Sequence, residues 1–363
     1  MAVSNPARPA VSVIVPARNE EACLGDCLKS LTGQVGVEFE IIVVDDGSTD
    51  RTRQIAESFP GVRVVDAPPM AAGWTGKNNA VVAGAKRASG EWLLFTDADT
   101  VHLPGSLAGS LAEARTKGTA LLSYSPEQEV HGFWEKAVMP VVFAELAASY
   151  RPSEVSDPTS PAAAANGQYL LITREAYDAV GGHAAIATNL LEDVALARAV
   201  KRSGRKIFFR YGGDAVRTRM YRNFAQLKEG WTKNLALLFV SPVSLALLRL
   251  AEFVAISVGV AVTAAGLFMR SEGAALLAAV ATIVSITFHF RRIRRAHFSW
   301  DANILAVFGL LVFSYLLVHS KMVHQSAKVR WKGREYAGSS GTGDERLQAE
   351  RSRDNRRDAG ATV

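Results

Sequence analysis

Three pairs of carboxylates in the first 200 residues have types and spacing that can do chemistry: Asp45-Asp46, Asp97 with Asp99, and Glu192-Asp193. Asp45-Asp46-Gly47-Ser48-Thr49-Asp50 follows an apolar β-branched run. A carboxylate there can accept from a nucleobase imide or from ribose hydroxyls. Asp97 and Asp99, one alanine apart, repel each other unless a cation joins them. Hard oxygen donors suit Mg²⁺ or Mn²⁺, which also bridge diphosphate oxygens. Such a cation offsets the charge that builds on a leaving diphosphate. Glu192-Asp193 opens a helical pattern, where a carboxylate is exposed enough to deprotonate a hydroxyl. Each pair alone reads as well as a turn or a first-turn dipole partner. The ordered set points to a metal-held nucleotide diphosphate beside a carboxylate base.

Further candidates surround these pairs. Gly73-Trp74-Thr75-Gly76-Lys77-Asn78 precedes a helical pattern and could bring Lys77 to a phosphate, although the P-loop spacing is absent. Gly181-Gly182-His183 could shape an acceptor pocket. Arg217, Arg219, Gln226 and Trp231 fall where polar sequence gives way to apolar sequence. There they could face a diphosphate, an acceptor or lipid, or form an ordinary amphipathic anchor.

The elements that must position these residues alternate regularly. Strand patterns cover residues 11–15, 40–44, 62–65, 92–96, 120–124, 169–173 and 206–211. Helical patterns cover residues 24–31, 77–88, 107–116 and 190–202, with Asn19 as a cap for the first. Ser48 or Thr49 is expected to cap a further helix reaching about residue 58. This alternation predicts a doubly wound, mostly parallel α/β sheet, with the carboxylates on the loops after its strands. Residues 133–150 could be a helix, and residues 151–165, rich in Pro, Ser and Ala, read as a mobile loop.

A second physical regime begins after residue 233. The chain has 363 residues, 48% of them hydrophobic, and a net charge of +6. Its apolar excess is concentrated in uncharged runs at residues 253–269, 274–290 and 304–318. Each is slightly short of the ~20 residues of a full span, with flanking Arg and Lys able to snorkel. Residues 235–250 read as an interfacial helix leading into the first span. Residues 291–334 carry nine Lys/Arg against Asp301 alone. Basic clusters beside apolar segments suit anionic lipid headgroups; aromatic interleaving of the nucleic-acid-binding kind is lacking. Arg291–Arg295 belongs on the cytoplasmic side, yet a third span would send the basic tail outside, against the same rule, unless residues 304–318 are re-entrant, residues 235–250 insert as well, or the rule is broken here. Cys23 and Cys27 are expected as reduced thiols, and the first strand lacks the flanks of a signal peptide. The last 25 residues carry five Arg and five acids without apolar period and read as disordered.

The motifs Val-Pro-Ala-Arg-Asn-Glu (15–20), Asp-Asp-Gly-Ser-Thr-Asp (45–50), Asp-Ala-Asp (97–99), Gly-Gly-His (181–183) and Glu-Asp (192–193) resemble those of family 2 glycosyltransferases with the GT-A fold. Trp-Thr-Gly-Lys (74–77), Gly230-Trp231 and Trp-Lys-Gly-Arg (331–334) further resemble the membrane-bound branch acting on lipids, including hopanoid- or carotenoid-associated and ceramide-type transferases. The resemblance implies nucleotide-sugar binding at Pro16, Arg18, Glu20, Asp45, Asp46, Lys77, Asp97 and Ala98. It implies Mg²⁺ or Mn²⁺ at Asp97 and Asp99, and catalysis by Asp193 with Glu192. Gly182, His183, Arg217, Arg219, Gln226 and Trp231 would serve acceptor or diphosphate. The strict Gln-x-x-Arg-Trp motif of processive synthases is absent.

The expectation is a cytoplasmic GT-A domain over residues 1–233. An interfacial helix and about three transmembrane helices follow over 234–320, then a basic, partly disordered tail over 321–363. Its activity would be inverting transfer of one sugar from a UDP-sugar to a membrane lipid at the cytoplasmic face of the cell membrane. The alternatives are a processive polysaccharide synthase and a non-catalytic sugar-nucleotide-binding scaffold. A nicotinamide-dependent oxidoreductase is disfavoured, since no Gly-x-Gly-x-x-Gly follows the first strand.

Overall fold

The computed structural model describes residues 9–326 and 329–336. The chain divides into two compact units. One comprises Met1–Glu129 and Tyr150–Met220, the other Val130–Ser149 and Tyr221–Val363.

In the first unit β1 (Val11–Ala17), α1 (Leu24–Thr32), β2 (Phe39–Asp45), α2 (Thr52–Glu57), β3 (Val62–Asp66), α3 (Gly76–Arg87) and β4 (Trp92–Phe95) alternate strictly. After β4 come β5 (Thr100–His102), α4 (Ser106–Lys117), β6 (Leu121–Ser125) and β7 (Glu127–Gln128). α5 (Phe133–Ser149) leaves for the other unit, and α6 (Pro152–Ser156), β8 (Leu170–Thr173), α7 (Arg174–Ala179), α8 (Glu192–Arg202), β9 (Ile207–Tyr211) and β10 (Val216–Thr218) complete the first. The main sheet has the order β3-β2-β1-β4-β8-β6-β9. All seven strand patterns are present in it. Val13, Ile14 and Val15 are fully buried, as a central parallel strand covered on both faces requires.

Four details differ from expectation. β8 runs antiparallel to both β4 and β6, so the loop after it leaves from the opposite edge; hydrophobic pattern does not encode strand direction. Asn19 caps no helix: it is left-handed (φ 53°), and its Oδ1 accepts the Thr49 N–H at 2.9 Å. Neither Ser48 nor Thr49 caps α2, which starts at Thr52 after Arg51, where Asp50 Oδ1 takes both the N–H and the hydroxyl of Thr52. Residues 151–165 are no loose loop, since Val155, Ala163, Ala164 and Ala165 are buried in the core between sheet and helices. Small apolar side chains pack there without giving a periodic signal.

The second unit joins α5 to α9 (Phe224–Leu238), α10 (Pro242–Phe268), α11 (Glu272–Ile293) and α12 (Trp300–Gln325), followed by the hairpin β11 (Val329–Trp331) and β12 (Arg334–Tyr336). The expected boundary at residue 233 is therefore displaced: α5 and residues 221–233 belong with the apolar helices. α5 is apolar nearly all round, and such a helix must be covered. A Cβ on Gly309 of α12 would collide with the carbonyl oxygen of Ala137 in α5, so these two backbones touch. The expected interfacial helix over 235–250 is also split. α9 stops at Leu238, and Pro242, at home in a first turn, starts α10. Arg249 and Glu252 consequently lie inside α10. They join Glu145 of α5 and His289 and Arg292 of α11 in one ion-pair cluster. The predicted tail begins within α12 and the hairpin, and its residues 337–363 lie outside the described residues.

Candidate active site

Adjacent strand ends bring the predicted residues together. Parallel register matches Ala17 to Asp45 and Ile14 to Phe95. Pro16, Asp45-Asp46 and Thr96-Asp97 therefore emerge at one sheet edge. Between β1 and β4 the strand order reverses, and open α/β sheets bind ligands at such a switch point. The pocket there is lined by Pro16 of β1, Asp97 after β4, Lys77 of α3, and Glu192 and Asp193 of α8, with Gly167 and His183.

Lys77 is placed by the start of its helix. Thr75 caps α3 by accepting the Asn78 N–H at 3.1 Å. The buried Asn78 side chain donates to the carbonyls of Ile186, Ala187 and Asn189 at 3.0–3.2 Å. This ties α3 to the loop that leads into α8, and Lys77 meets the acidic first turn of that helix. Its Nζ lies 2.7 Å from Asp97 Oδ1 and 2.7 Å from Glu192 Oε1. Burial opposes its charge, but the two carboxylates hold its pKa well above that of an ordinary lysine.

Asp193 is tuned the other way. Its Oδ2 accepts the Gly167 N–H at 2.9 Å and its Oδ1 the Val194 N–H at 2.8 Å. Burial first, and then the neighbouring Glu192 charge, push its pKa up to about 6, against the opposing pull of Lys77. A carboxylate poised near neutrality matches what general-base work requires. Gly167 was not singled out from sequence, and Thr75 and Asn78 entered only as members of the 73–78 motif, without roles of their own. A Cβ on Gly167 would stand 2.9 Å from Lys77 Nζ and 3.4 Å from Glu192 Oε1, so a side chain there would push the Lys77 ammonium aside. Thr75-x-x-Asn78 at the head of a helical pattern is the signal that could have found the cap.

His183 is buried and neutral. Its N–H donates to the Tyr177 hydroxyl at 3.1 Å, its ring packs edge-on to Phe95, and burial lowers its pKa to about 4. Gly182 is left-handed (φ 54°), and a Cβ there would strike the Tyr177 ring. The first and second motifs interlock. Arg18 Nη1 donates to the Asp46 carbonyl at 2.6 Å, and the Glu20 N–H donates to Thr52 Oγ1 at 2.7 Å. Asp45 Oδ1 accepts the Ser48 N–H at 3.1 Å, and Arg53 stands 3.8 Å from its other oxygen. Ala98 is buried, and the Asp99 carbonyl accepts from Thr218 Oγ1 at 3.2 Å.

Arg217 and Arg219 are not among the residues that line this pocket. Arg217 on β10 pairs with Glu127 of β7 at 2.8 Å, and Arg219 follows the same strand. Gln226 and Trp231 belong to the helical unit. Gln226 Oε1 accepts the Arg222 N–H while its own N–H goes to Asn223 Oδ1, so it serves the start of α9. Trp231 is buried against Tyr221 and Phe143.

Residues 12–178 match the profile of Glycosyl transferase family 2. Over 343 residues the chain is 30% identical to the 4,4'-diaponeurosporenoate glycosyltransferase of Staphylococcus aureus, covering 90% of this chain and 88% of that one. The chain belongs to glycosyl transferase family 2. Among solved structures, this family 2 chain resembles the mannosyltransferase PcManGT of Pyrobaculum calidifontis, described in complex with GDP-Man and Mn²⁺. The TM-score is 0.51 at 18% identity, covering 88% of this chain and 87% of that one. That likeness concerns the fold, and the parallel-dominated sheet is of the GT-A type.

Proposed function

We propose that this family 2 glycosyltransferase moves a single sugar from a UDP-sugar to a membrane lipid acceptor, with inversion at the anomeric carbon. The observation that carries the proposal is the convergence of Asp97, Lys77, Glu192 and Asp193 at the switch point of the sheet. Asp45 and Asp46 would read the nucleotide from the neighbouring strand end, with Pro16, Arg18 and Glu20 shaping that loop. Lys77 would exchange its bridge to Asp97 and Glu192 for the donor's diphosphate. Asp193, aimed by the Gly167 N–H, would take the acceptor proton.

The donor set fits a divalent cation shared with substrate. Among the described residues no three His, Cys, Asp or Glu side chains form a protein-only metal cage. Asp97 and Asp99 supply hard oxygens only, and Mg²⁺ or Mn²⁺ characteristically takes one or two carboxylates and completes its shell with phosphate and water. Asp97 and Asp99 would hold the ion, whose contribution is to offset charge on the departing diphosphate.

The acceptor class follows the relative named for 4,4'-diaponeurosporenoate, and the helical unit supports an apolar acceptor taken from the bilayer. α10 and α11 would cross the cell membrane, with the α/β unit cytoplasmic. Anionic lipids would face the Arg291–Arg295 segment. The absence of the strict Gln-x-x-Arg-Trp motif favours one transfer over polymerisation. The test is incubation of full-length protein in membranes with labelled UDP-glucose, UDP-galactose, UDP-N-acetylglucosamine or GDP-mannose, followed by resolution of lipids and polymers. One labelled lipid from a UDP-sugar, lost in Asp99→Asn and Asp193→Asn, is expected. A ladder of polymer would favour a synthase, and UDP binding without turnover a scaffold.

A further inference from the structure

Among the described residues three helices are long and apolar enough to cross a bilayer, but they do not share one environment. Half of the most apolar stretch of Trp300–Gln325 is buried inside the protein, against 11% for Pro242–Phe268 and 17% for Glu272–Ala296. α10 and α11 pair antiparallel in a fixed register. Glu252 meets His289, Gly259 meets Thr282 and Gly266 meets Ala275, seven residues forward on one helix for seven back on the other. Small residues at these crossings let the backbones approach, as in membrane helix pairs. From Glu252 to the turn at Arg270 the helix rises ~27 Å at 1.5 Å per residue, close to a hydrocarbon core. α10 therefore begins, and α11 ends, on one side of the membrane.

α12 starts at Trp300, a short turn after α11 ends at Ile293, and so on that same side. Its far end is fixed by α9. The Ser320 hydroxyl donates to the Thr232 carbonyl at 2.6 Å and accepts the Ala236 N–H at 2.9 Å, entering the hydrogen-bond ladder of α9. His324 Nε2 lies 2.9 Å from the Lys233 carbonyl, and in the hairpin beyond it the Lys332 N–H donates to Glu229 at 3.1 Å. α9, with 15 residues including Lys228, Glu229 and Lys233, is too short and too charged to cross. It ends at Leu238, just before Pro242. Both ends of α12 thus lie on the side where α10 begins, and a straight helix with both ends on one side does not span.

The outward face of α12 says what covers it. Trp300, Ile304, Phe308, Leu311, Tyr315 and Met322 are all exposed and recur at steps of three, four or seven, one continuous stripe along the helix. Exposed Phe133 and Trp134 extend it beside Phe308, and exposed Arg291, Arg294 and Arg295 precede it. Aromatic residues with flanking cations mark the headgroup boundary. We propose that α12 is not a third span but a helix docked in the leaflet where α10 begins, its apolar stripe among the lipids of that leaflet. The described basic residues within 291–295 and 321–334 then share one side, and the conflict with the positive-inside rule disappears.

The proposal needs α10 and α11 to cross but is independent of the catalytic assignments. Its test uses the full chain with Cys23→Ser and Cys27→Ala, reconstituted in phosphatidylcholine–phosphatidylglycerol vesicles. Spin labels go on Ile304→Cys, Phe308→Cys, Leu311→Cys and Tyr315→Cys. Collision with oxygen and with a polar nickel chelate should place all four at one shallow depth, roughly 5–10 Å below the headgroups. A depth that runs to the bilayer centre and out again would establish a span. Protection from both reagents would mean protein, such as a second copy, covers the stripe; either result overturns the proposal. In cells, an impermeant maleimide should reach Arg270→Cys and Ser326→Cys from opposite sides. Labelling of both from one side would overturn it, with the depth series showing whether α12 or the α10–α11 pair was misread.

Discussion

The ion-pair cluster of the helical unit and the candidate site of the α/β unit differ in charge balance. In the helical unit Glu145 and Glu252 face Arg249 and Arg292, two against two, with His289 on Glu252 at 2.7 Å. In the α/β unit Lys77 is shared by Asp97 and Glu192, with Asp193 lining the same pocket. The balanced cluster closes on itself and fastens α5, α10 and α11 together. The acidic one keeps an excess that a proton or a cation must relieve; burial first, and then the Glu192 charge, raise the Asp193 pKa. Matched charge makes a staple; unmatched charge makes a site.

Substitutions can break that contrast. Asp193→Asn should lower sugar transfer by ~10²–10⁴-fold, the range for losing a general base, while raising the thermal midpoint, because a buried like-charge contact is removed. A lower midpoint, read by circular dichroism beside labelled-lipid formation, would make this cluster a staple too. Glu145→Ala should do the reverse. Removing one partner of a buried ion pair costs about 3–5 kcal/mol. The thermal midpoint should fall, while transfer per folded molecule holds.

Smaller effects sharpen the comparison. Lys77→Met should raise KM for the donor roughly tenfold or more, the equivalent of about 1.5–3 kcal/mol for a charge-assisted hydrogen bond. It should also move the acid limb of the pH profile upward, since Lys77 holds the Asp193 pKa down. In the wild-type protein the base is competent when ionised. With the Asp193 pKa near 6, kcat/KM should be near its plateau at pH 7 and fall ~10-fold by pH 5. A hydroxyl acceptor should show this limb fully, whereas a carboxylate acceptor, already ionised, should flatten it.

Much of this was legible in the residues. Seven strands showed themselves as short apolar runs, and the carboxylate pairs stood after strands or at a helix start because open sheets carry chemistry there. Lys77 was visible as a cation near a helix start. Gly167 was not, because its role rests on what a Cβ would meet across the pocket. Nor was the allegiance of α5, whose apolar residues could have faced a sheet as readily as a helix bundle. Gln226 shows the opposite hazard: a polar residue at a suggestive position accepts the Arg222 N–H just ahead of α9, whose cap is Asn223.

Sequence by itself determined the alternation of elements, the order of acidic motifs and the presence of three apolar helices. These are local properties, carried by side-chain type and period along the chain. Tertiary structure decided that β8 runs antiparallel, that Lys77 bridges Asp97 and Glu192, that Gly167 aims Asp193, and that Ser320 anchors the end of α12 on α9. Each of those depends on a contact between residues far apart in the chain. Residue type and period do not fix such contacts, because a strand can pair in either direction and an apolar helix can face lipid or protein.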